Sequence, residues 1–145
     1  MFLQRQLDAR NCVIQANPAM DTRTGIYFET VLDDVFYAKI DTFCATLNIN
    51  TTKELLESSC QLAVYKVRAS QGCIERLPAD LAEFKDRYLT QASHTLWTAE
   101  EKIHLYALRL MVGNRHQTAR CFQLLNTPRD PTAAENMMRR IHLFD

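Results

Sequence analysis

Turn-forming residues are scarce in this chain, which has only three glycines and four prolines among its 145 residues. A β-sandwich or β-barrel needs a turn after each short strand, and glycine and proline supply many of those turns. The chain has too few of them for such a fold. Because 47% of the residues are apolar, it can still build a hydrophobic core. The sequence therefore predicts an all-α fold.

Apolar residues recur at intervals of three and four along most of the chain, which is the spacing of an amphipathic helix. The first such pattern spans about 25–48, although residues 26–28 would also suit a short strand. Thr51 is the expected N-cap of a second helix, with Glu54 at the capping-box position, and Pro78 is the expected first residue of a third. The apolar positions of the first helix are Val31, Leu32, Val35, Phe36, Ile40, Phe43 and Leu47.

Three further helices are expected in the C-terminal third of the chain. The first begins after Thr98 and closes at Gly113, because threonine favours the N-cap and glycine the C-terminal end of a helix. A second covers about 118–125, the prolines of 126–131 form a turn, and Thr132 caps the last helix. The expected inward-facing residues are Ile103, Leu105, Leu108, Met111, Ala134, Met137, Ile141 and Phe144.

These elements divide the chain into three parts. Residues 1–24 form an irregular N-terminal segment, residues 25–96 a helical bundle, and residues 97–145 a three-helix unit. The join at 91–96 contains no linker rich in glycine or proline, so the bundle and the three-helix unit are also compatible with one continuous domain. The expected fold is about six helices, with the N-terminal bundle packed against the C-terminal unit.

The C-terminal unit carries a recognisable order of residues. The matching positions are Trp97-Thr98-Ala99-Glu100-Glu101, Leu105, Leu108, Gly113, Leu124 and the helix at 132–141. In these positions residues 97–144 resemble the Myb/SANT family. The resemblance implies a helix-turn-helix fold that contacts DNA or, in SANT-type members, proteins such as histone tails. It covers about a third of the chain.

The distribution of charge also draws attention to this end. The formal net charge is zero, which argues against coating of nucleic acid by bulk charge. Between Asn114 and His142, however, five arginines face only two acidic residues. On the last helix the polar residues lie off the Met137/Ile141 face, and arginine and asparagine can pair with guanine and adenine in the major groove. The candidate residues for nucleic-acid or partner binding are Arg115, Arg129, Asn136, Arg139 and Arg140.

Catalytic and metal-binding patterns are not recognisable in the sequence. The histidines at 94, 104, 116 and 142 lie at least ten residues apart, and the five cysteines include no closely spaced pair. Cys12 is not accompanied by a histidine in a known catalytic motif, and no glycine-rich loop is present to bind phosphate. We therefore expect no catalytic residue, no metal and no cofactor, and a protein that is not an enzyme.

The sequence supports two functional interpretations. The first is a non-enzymatic regulatory or architectural protein that binds DNA or a chromatin protein through its C-terminal helices. The alternative is a helical protein–protein interaction subunit, such as an assembly factor or effector, without nucleic-acid binding. The wide apolar stripe of the helix at 28–47 also suggests a homodimer surface. No signal-peptide pattern follows Met1 and no apolar run reaches the length of a membrane span, so we expect an intracellular protein, nuclear or cytoplasmic.

Overall fold

The computed structural model describes residues 32–90 and 96–141, which form six α-helices and no strand. This confirms the predicted all-α fold. The irregular segment 1–24, the alternative strand at 26–28 and the predicted core residues Val31 and Phe144 lie outside the described residues. The helices are α1 (Asp34–Thr46), α2 (Lys53–Ser70), α3 (Ala79–Tyr88), α4 (Ala99–Val112), α5 (Arg115–Gln123) and α6 (Pro131–Arg140).

Local capping determines where α4 begins and ends. The Thr98 hydroxyl accepts a hydrogen bond from the Glu101 backbone N–H at 3.1 Å, and the Glu101 carboxylate accepts one from the Thr98 N–H at 2.9 Å. This reciprocal capping box satisfies two N–H groups that have no partner within the helix. At the other end Gly113 has a φ of 82°, a left-handed conformation that glycine adopts readily. Both predicted ends of this helix are confirmed.

Helix α1 begins at Asp34, after its N-cap Asp33, rather than near residue 25. The starts of α2, α3 and α6 differ from the prediction by one or two residues. The N-cap of α2 is Thr52 rather than Thr51, and its hydroxyl accepts from the Leu55 N–H at 3.2 Å. Two adjacent threonines are chemically equivalent caps, so the sequence pattern could not choose between them. Pro78 is the N-cap of α3 rather than its first residue. Asp130, rather than Thr132, caps α6, which places Pro131 at the first helical position.

The fifth helix is also shifted relative to its prediction. It spans Arg115–Gln123 rather than 118–125, because Asn114 caps it by accepting a hydrogen bond from the Gln117 N–H at 2.9 Å. Asparagine is among the strongest N-cap residues, so the chain re-enters a helix almost immediately after Gly113. Beyond the helix, Leu125 has a positive φ of 60°, and the chain turns towards α6.

The main core is shared by five of the six described helices and therefore joins the two predicted units. Helix α4 lies at its centre, packed against α1, α2 and α5, while α6 packs against α5. A smaller cluster attaches α3 to α2. The buried residues of the main core include Phe36, Ile40, Phe43, Cys60, Ala63, Leu105, Leu108, Phe122, Ala134, Met137 and Met138.

One residue of the apolar stripe predicted for α1 faces solvent instead. Val35 is 63% exposed, whereas Phe36, Ile40 and Phe43 are buried. Successive helical residues point about 100° apart, so a stripe that buries Phe36 turns Val35 away from the core. The Phe43 ring stacks on Tyr106 of α4 with 4.2 Å between ring centroids. None of the described helices has both the length and the apolar composition needed to cross a membrane.

Candidate partner-binding surface

Arg129 belongs to the interior of the structure and not to its surface. It is 6% exposed, while its partner Glu101 is fully buried. Arg129 Nε donates to Glu101 Oε2 at 2.8 Å and Nη2 to Oε1 at 3.0 Å, and the guanidinium carbon lies 4.7 Å from the centre of the Trp97 ring. Nη2 also donates to the Leu96 carbonyl. A partner cannot reach this side chain, so including it among the binding residues was wrong.

Arg129 is buried because it pairs with Glu101, which has two roles in the structure. Its carboxylate closes the capping box of α4 and at the same time accepts both hydrogen bonds from Arg129. A buried carboxylate requires a partner charge, because desolvation of an unpaired ion is costly. The contact ties the start of α4 to the residue just before α6. The spacing of Thr98 and Glu101 is that of a capping box, a signal from which the role of Glu101 could have been predicted, but nothing in the sequence identifies Arg129 as its partner.

The four other candidate residues are exposed on α5 and α6. Arg115 lies at the start of α5, and Asn136, Arg139 and Arg140 lie along α6. Helix α6 is held in place by its opposite face, where Ala134, Met137 and Met138 are buried. The structure therefore presents three arginines and one asparagine on a helix pair whose inner side is packed.

Surface contacts link α5 to α6 and involve two of these residues, Asn136 and Arg139. His116 Nδ1 of α5 lies 3.1 Å from Glu135 Oε2 of α6. On α6, Arg139 Nη2 donates to Glu135 Oε1 at 3.4 Å and Nη1 donates to Asn136 Oδ1 at 3.0 Å. Exposed pairs of this kind contribute about 0–1 kcal/mol to stability. A ligand can therefore replace the partners of Arg139 and Asn136 at little energetic cost.

A buried lysine fixes the turn that precedes α6. Lys66 of α2 is fully buried, and its Nζ donates to the Phe122 carbonyl at 2.7 Å and to the Thr127 hydroxyl at 3.3 Å. The Phe122 carbonyl lies in the last turn of α5, where a positive charge is favoured by the helix dipole. Burial nevertheless lowers the pKa of Lys66 well below its usual value. We did not predict this contact, because its partners lie 56 and 61 residues away along the chain.

His104 is a second buried ionisable group, at the contact between α2 and α4. Its Nδ1 lies 3.0 Å from the Ser59 carbonyl, which can only accept, so this nitrogen carries the proton. Burial, and secondarily the charge of Lys66, lower the pKa of His104 well below 6.5. The residue is therefore a neutral core histidine. Within 32–90 and 96–141, no group of three or more histidine, cysteine, aspartate or glutamate side chains is arranged to hold a metal ion.

The apolar stripe of α1, on which the homodimer prediction rested, is largely used within the chain. Phe36, Ile40 and Phe43 pack into the main core. Val35 is the large apolar side chain that the described part of this helix leaves strongly exposed. A single exposed valine is common on protein surfaces and does not define an interface.

The exposed side of α5 and α6 offers guanidinium and amide groups that can hydrogen-bond to phosphate oxygens, carboxylates or base edges.

No model of a known protein family matches the chain, and comparisons with curated proteins and with solved structures find no match either. The functional argument therefore rests on the geometry of these two helices.

Proposed function

We propose that this chain is a non-enzymatic nucleic-acid-binding protein and that the exposed face of α5 and α6 makes the contact. We call this face the basic face and define it by Arg115, Asn136, Arg139 and Arg140. The observation that carries the proposal is its composition: three exposed arginines and one exposed asparagine on two helices packed against each other. The Myb/SANT resemblance of the sequence also favours it, since α6 covers the segment that resembles the third helix of that family.

The packing of α6 suits a helix that reads a groove. Its buried residues hold one side against the core, and Asn136, Arg139 and Arg140 are exposed on the other side. Arginine can donate two hydrogen bonds to guanine or contact phosphate, and asparagine can pair with adenine. Arg139 donates a hydrogen bond to Asn136, and the two residues, three apart in sequence, lie on the same side of the helix.

The test is a titration of labelled duplex DNA with the full chain, followed by fluorescence anisotropy at two salt concentrations. Wild-type affinity should fall as salt rises, because each neutralised phosphate releases counterions. The double variant R139A/R140A should bind more weakly by about 2–4 kcal/mol, at about 1–2 kcal/mol for each lost contact. The matched control is R76A/R87A, which removes the same charge from exposed arginines outside the basic face.

Two outcomes would reject the proposal. Absence of binding to duplex DNA at low salt would exclude nucleic acid as the ligand of this face. Equal loss of affinity in R139A/R140A and R76A/R87A would show that binding follows net charge rather than a defined surface. Circular dichroism of both variants should match the wild type, since exposed substitutions rarely change stability by more than about 0.5 kcal/mol.

A second candidate, binding of a basic peptide such as a histone tail, is favoured by the position of Glu135. Its partly exposed carboxylate contacts both His116 of α5 and Arg139 of α6. A lysine-rich peptide would pair with this carboxylate, so E135Q would weaken peptide binding while R139A/R140A would spare it. Glu101 does not contribute, because it is fully buried and paired with Arg129. The same anisotropy assay with a labelled lysine-rich peptide separates the two candidates.

A further inference from the structure

A groove of about 600 Å³ lies where the C-terminal ends of α2 and α4 meet the side of α5. Apolar side chains from all three regions line it: Val67 from α2, Met111 from α4, and Leu124 from the residue after α5. Val67 is almost fully buried, whereas Met111 and Leu124 are partly exposed. The volume falls within the range of about 300–1,000 Å³ that is usual for small-molecule sites.

Polar residues enter the groove from two sides, Ser70 and Gln71 from the C-terminal end of α2 and Gln117 and Arg120 from α5. Arg120 and Gln117 both line the groove, both are exposed, and they lie three residues apart, on the same side of the helix. Arg120 is the only charged residue among the described residues of the lining. Its guanidinium can present two parallel donors to a carboxylate, and the Gln117 amide can add a third.

Two helix C-termini border the groove and would by themselves favour a cation. Capping occupies several of their terminal carbonyl groups. The N–H groups of Gln71 and Cys73 donate to the Arg68 carbonyl, that of Gly72 donates to Ala69, and that of Gly113 donates to Arg109. Arg120 carries a full positive charge, whereas the helix ends carry partial negative charges, several of which are already hydrogen-bonded. The electrostatic preference of the groove is for an anion.

We propose that this groove binds a small amphipathic carboxylate, with its acidic head on Arg120 and its apolar chain along Val67, Met111 and Leu124. The positive charge of Arg120 selects an acidic head group, and burial of the ligand's apolar tail supplies the affinity. The site is separate from the basic face, because none of the residues that line the groove belongs to that face. A fatty acid or a similar acyl carboxylate has the required chemistry.

The test uses isothermal titration calorimetry of the full chain with octanoate, octylammonium and acetate, below the concentrations at which micelles form. Octanoate should bind with one site per chain. Octylammonium has the same tail with the opposite charge and should bind at least ten-fold more weakly. Acetate has the head without the tail and should show no measurable binding.

Two variants locate the ligand. R120Q should weaken octanoate binding about ten-fold and remove the preference over octylammonium. The control R140Q makes the same change in net charge on α6 and should leave octanoate affinity within two-fold of the wild type. L124W places a bulky ring in the groove and should abolish binding, with an unchanged circular dichroism spectrum showing that the fold is retained.

The outcomes are decisive in both directions. Absence of octanoate binding, or equal binding of octanoate and octylammonium, overturns the proposal, as does an R120Q variant that binds like the wild type. Binding of octanoate that is lost in both R120Q and L124W but kept in R140Q supports it. The result is independent of nucleic-acid binding, which is tested by residues outside the groove.

Discussion

Two arginines of the C-terminal region show how one residue type takes opposite roles in this protein. Arg129 is buried and makes two hydrogen bonds to the buried Glu101, while Arg139 is exposed and contacts the partly exposed Glu135. A buried charge that loses its partner costs several kcal/mol, whereas an exposed pair contributes about 0–1 kcal/mol. The two pairs should therefore differ strongly in their contribution to the free energy of unfolding.

We expect R129M to lower the free energy of unfolding by about 3–5 kcal/mol, because it leaves the Glu101 carboxylate buried without its cation. The control R139M should lower it by no more than about 1 kcal/mol. Urea denaturation followed by far-UV circular dichroism measures both. A cost for R129M no larger than that for R139M would show that solvent reaches Glu101 when Arg129 is absent.

The buried His104 predicts a dependence of stability on pH. Burial lowers the pKa of this histidine well below 6.5 in the folded protein, whereas in the unfolded chain it titrates near its usual value of about 6.5. Below that pH the unfolded state takes up a proton that the folded state does not, so the contribution is present above pH 6.5 and lost as the pH falls. The slope of this loss is at most about 1.4 kcal/mol per pH unit.

The variant H104Q removes this titration and keeps an amide that can donate to the Ser59 carbonyl. Urea denaturation of both proteins between pH 7.5 and 4.5 gives the difference in their free energies of unfolding, in which the unrelated carboxylates cancel. We expect the wild type to lose stability relative to H104Q as the pH decreases below about 6.5. Parallel pH profiles of the wild type and H104Q would mean that His104 has the same pKa in the folded and the unfolded protein.

At the scale of single elements, the helices are bounded by short-range hydrogen bonds. Aspartate, threonine or asparagine caps five of the six described helices at the N-terminus, and each of the five side chains accepts from the backbone three residues later. The exception is α3, where Pro78 makes no side-chain capping bond. At the junction between α4 and α5, Gly113 and Asn114 act together, one ending a helix and the next residue starting another.

Replacement of Gly113 tests the strain at this junction without introducing a steric clash. Its φ is 82°, and a Cβ added there would meet nothing within 4 Å. G113A should therefore lower the free energy of unfolding by about 1–2 kcal/mol from backbone strain alone. G113N should cost less, because asparagine tolerates the left-handed conformation better. Thermal melts of both variants measure this, and equal costs would argue against strain as the cause.

At the scale of the whole molecule, the main core joins both predicted units. Ile40 of α1 and Leu105 of α4 belong to one buried cluster, and Trp97 packs against the same cluster. Trp97 also lies beside Phe122, with 5.2 Å between the ring centroids. Since residues from both predicted units contribute to this cluster, we expect the N-terminal and C-terminal helices to unfold in a single transition.

The single tryptophan makes this expectation measurable. I40A should lower the free energy of unfolding by about 2–5 kcal/mol, because Ile40 is fully buried. The same shift should appear in Trp97 fluorescence, which reports on the C-terminal helices, and in far-UV circular dichroism, which reports on all of them. A fluorescence transition left unchanged by I40A would show that the C-terminal helices unfold independently.

Several features of this fold could be predicted from the sequence because they depend on residues within one or two helical turns. The absence of strands among the described residues and the boundaries of α4 follow from apolar periodicity, Thr98 and Gly113. Where adjacent residues offered competing caps, as Thr51 and Thr52 do, the prediction missed by a residue. The exposure of the α6 arginines could also be predicted from nearby residues, since these arginines lie off the buried stripe formed by Ala134 and Met137.

Only the tertiary structure decided which polar residues are buried. Glu101 and Arg129 are 28 residues apart, and Lys66 and the Phe122 carbonyl are 56 apart. Contacts of this length depend on how whole helices pack, and helical periodicity carries no information about the partner. The sequence thus determined the six helices and the exposed residues of α6, whereas packing buried Arg129, a candidate binding residue, and created the groove beside Arg120. A charge is costly to bury without a partner, so which charged residues are buried depends on the partners that the assembled core brings to them.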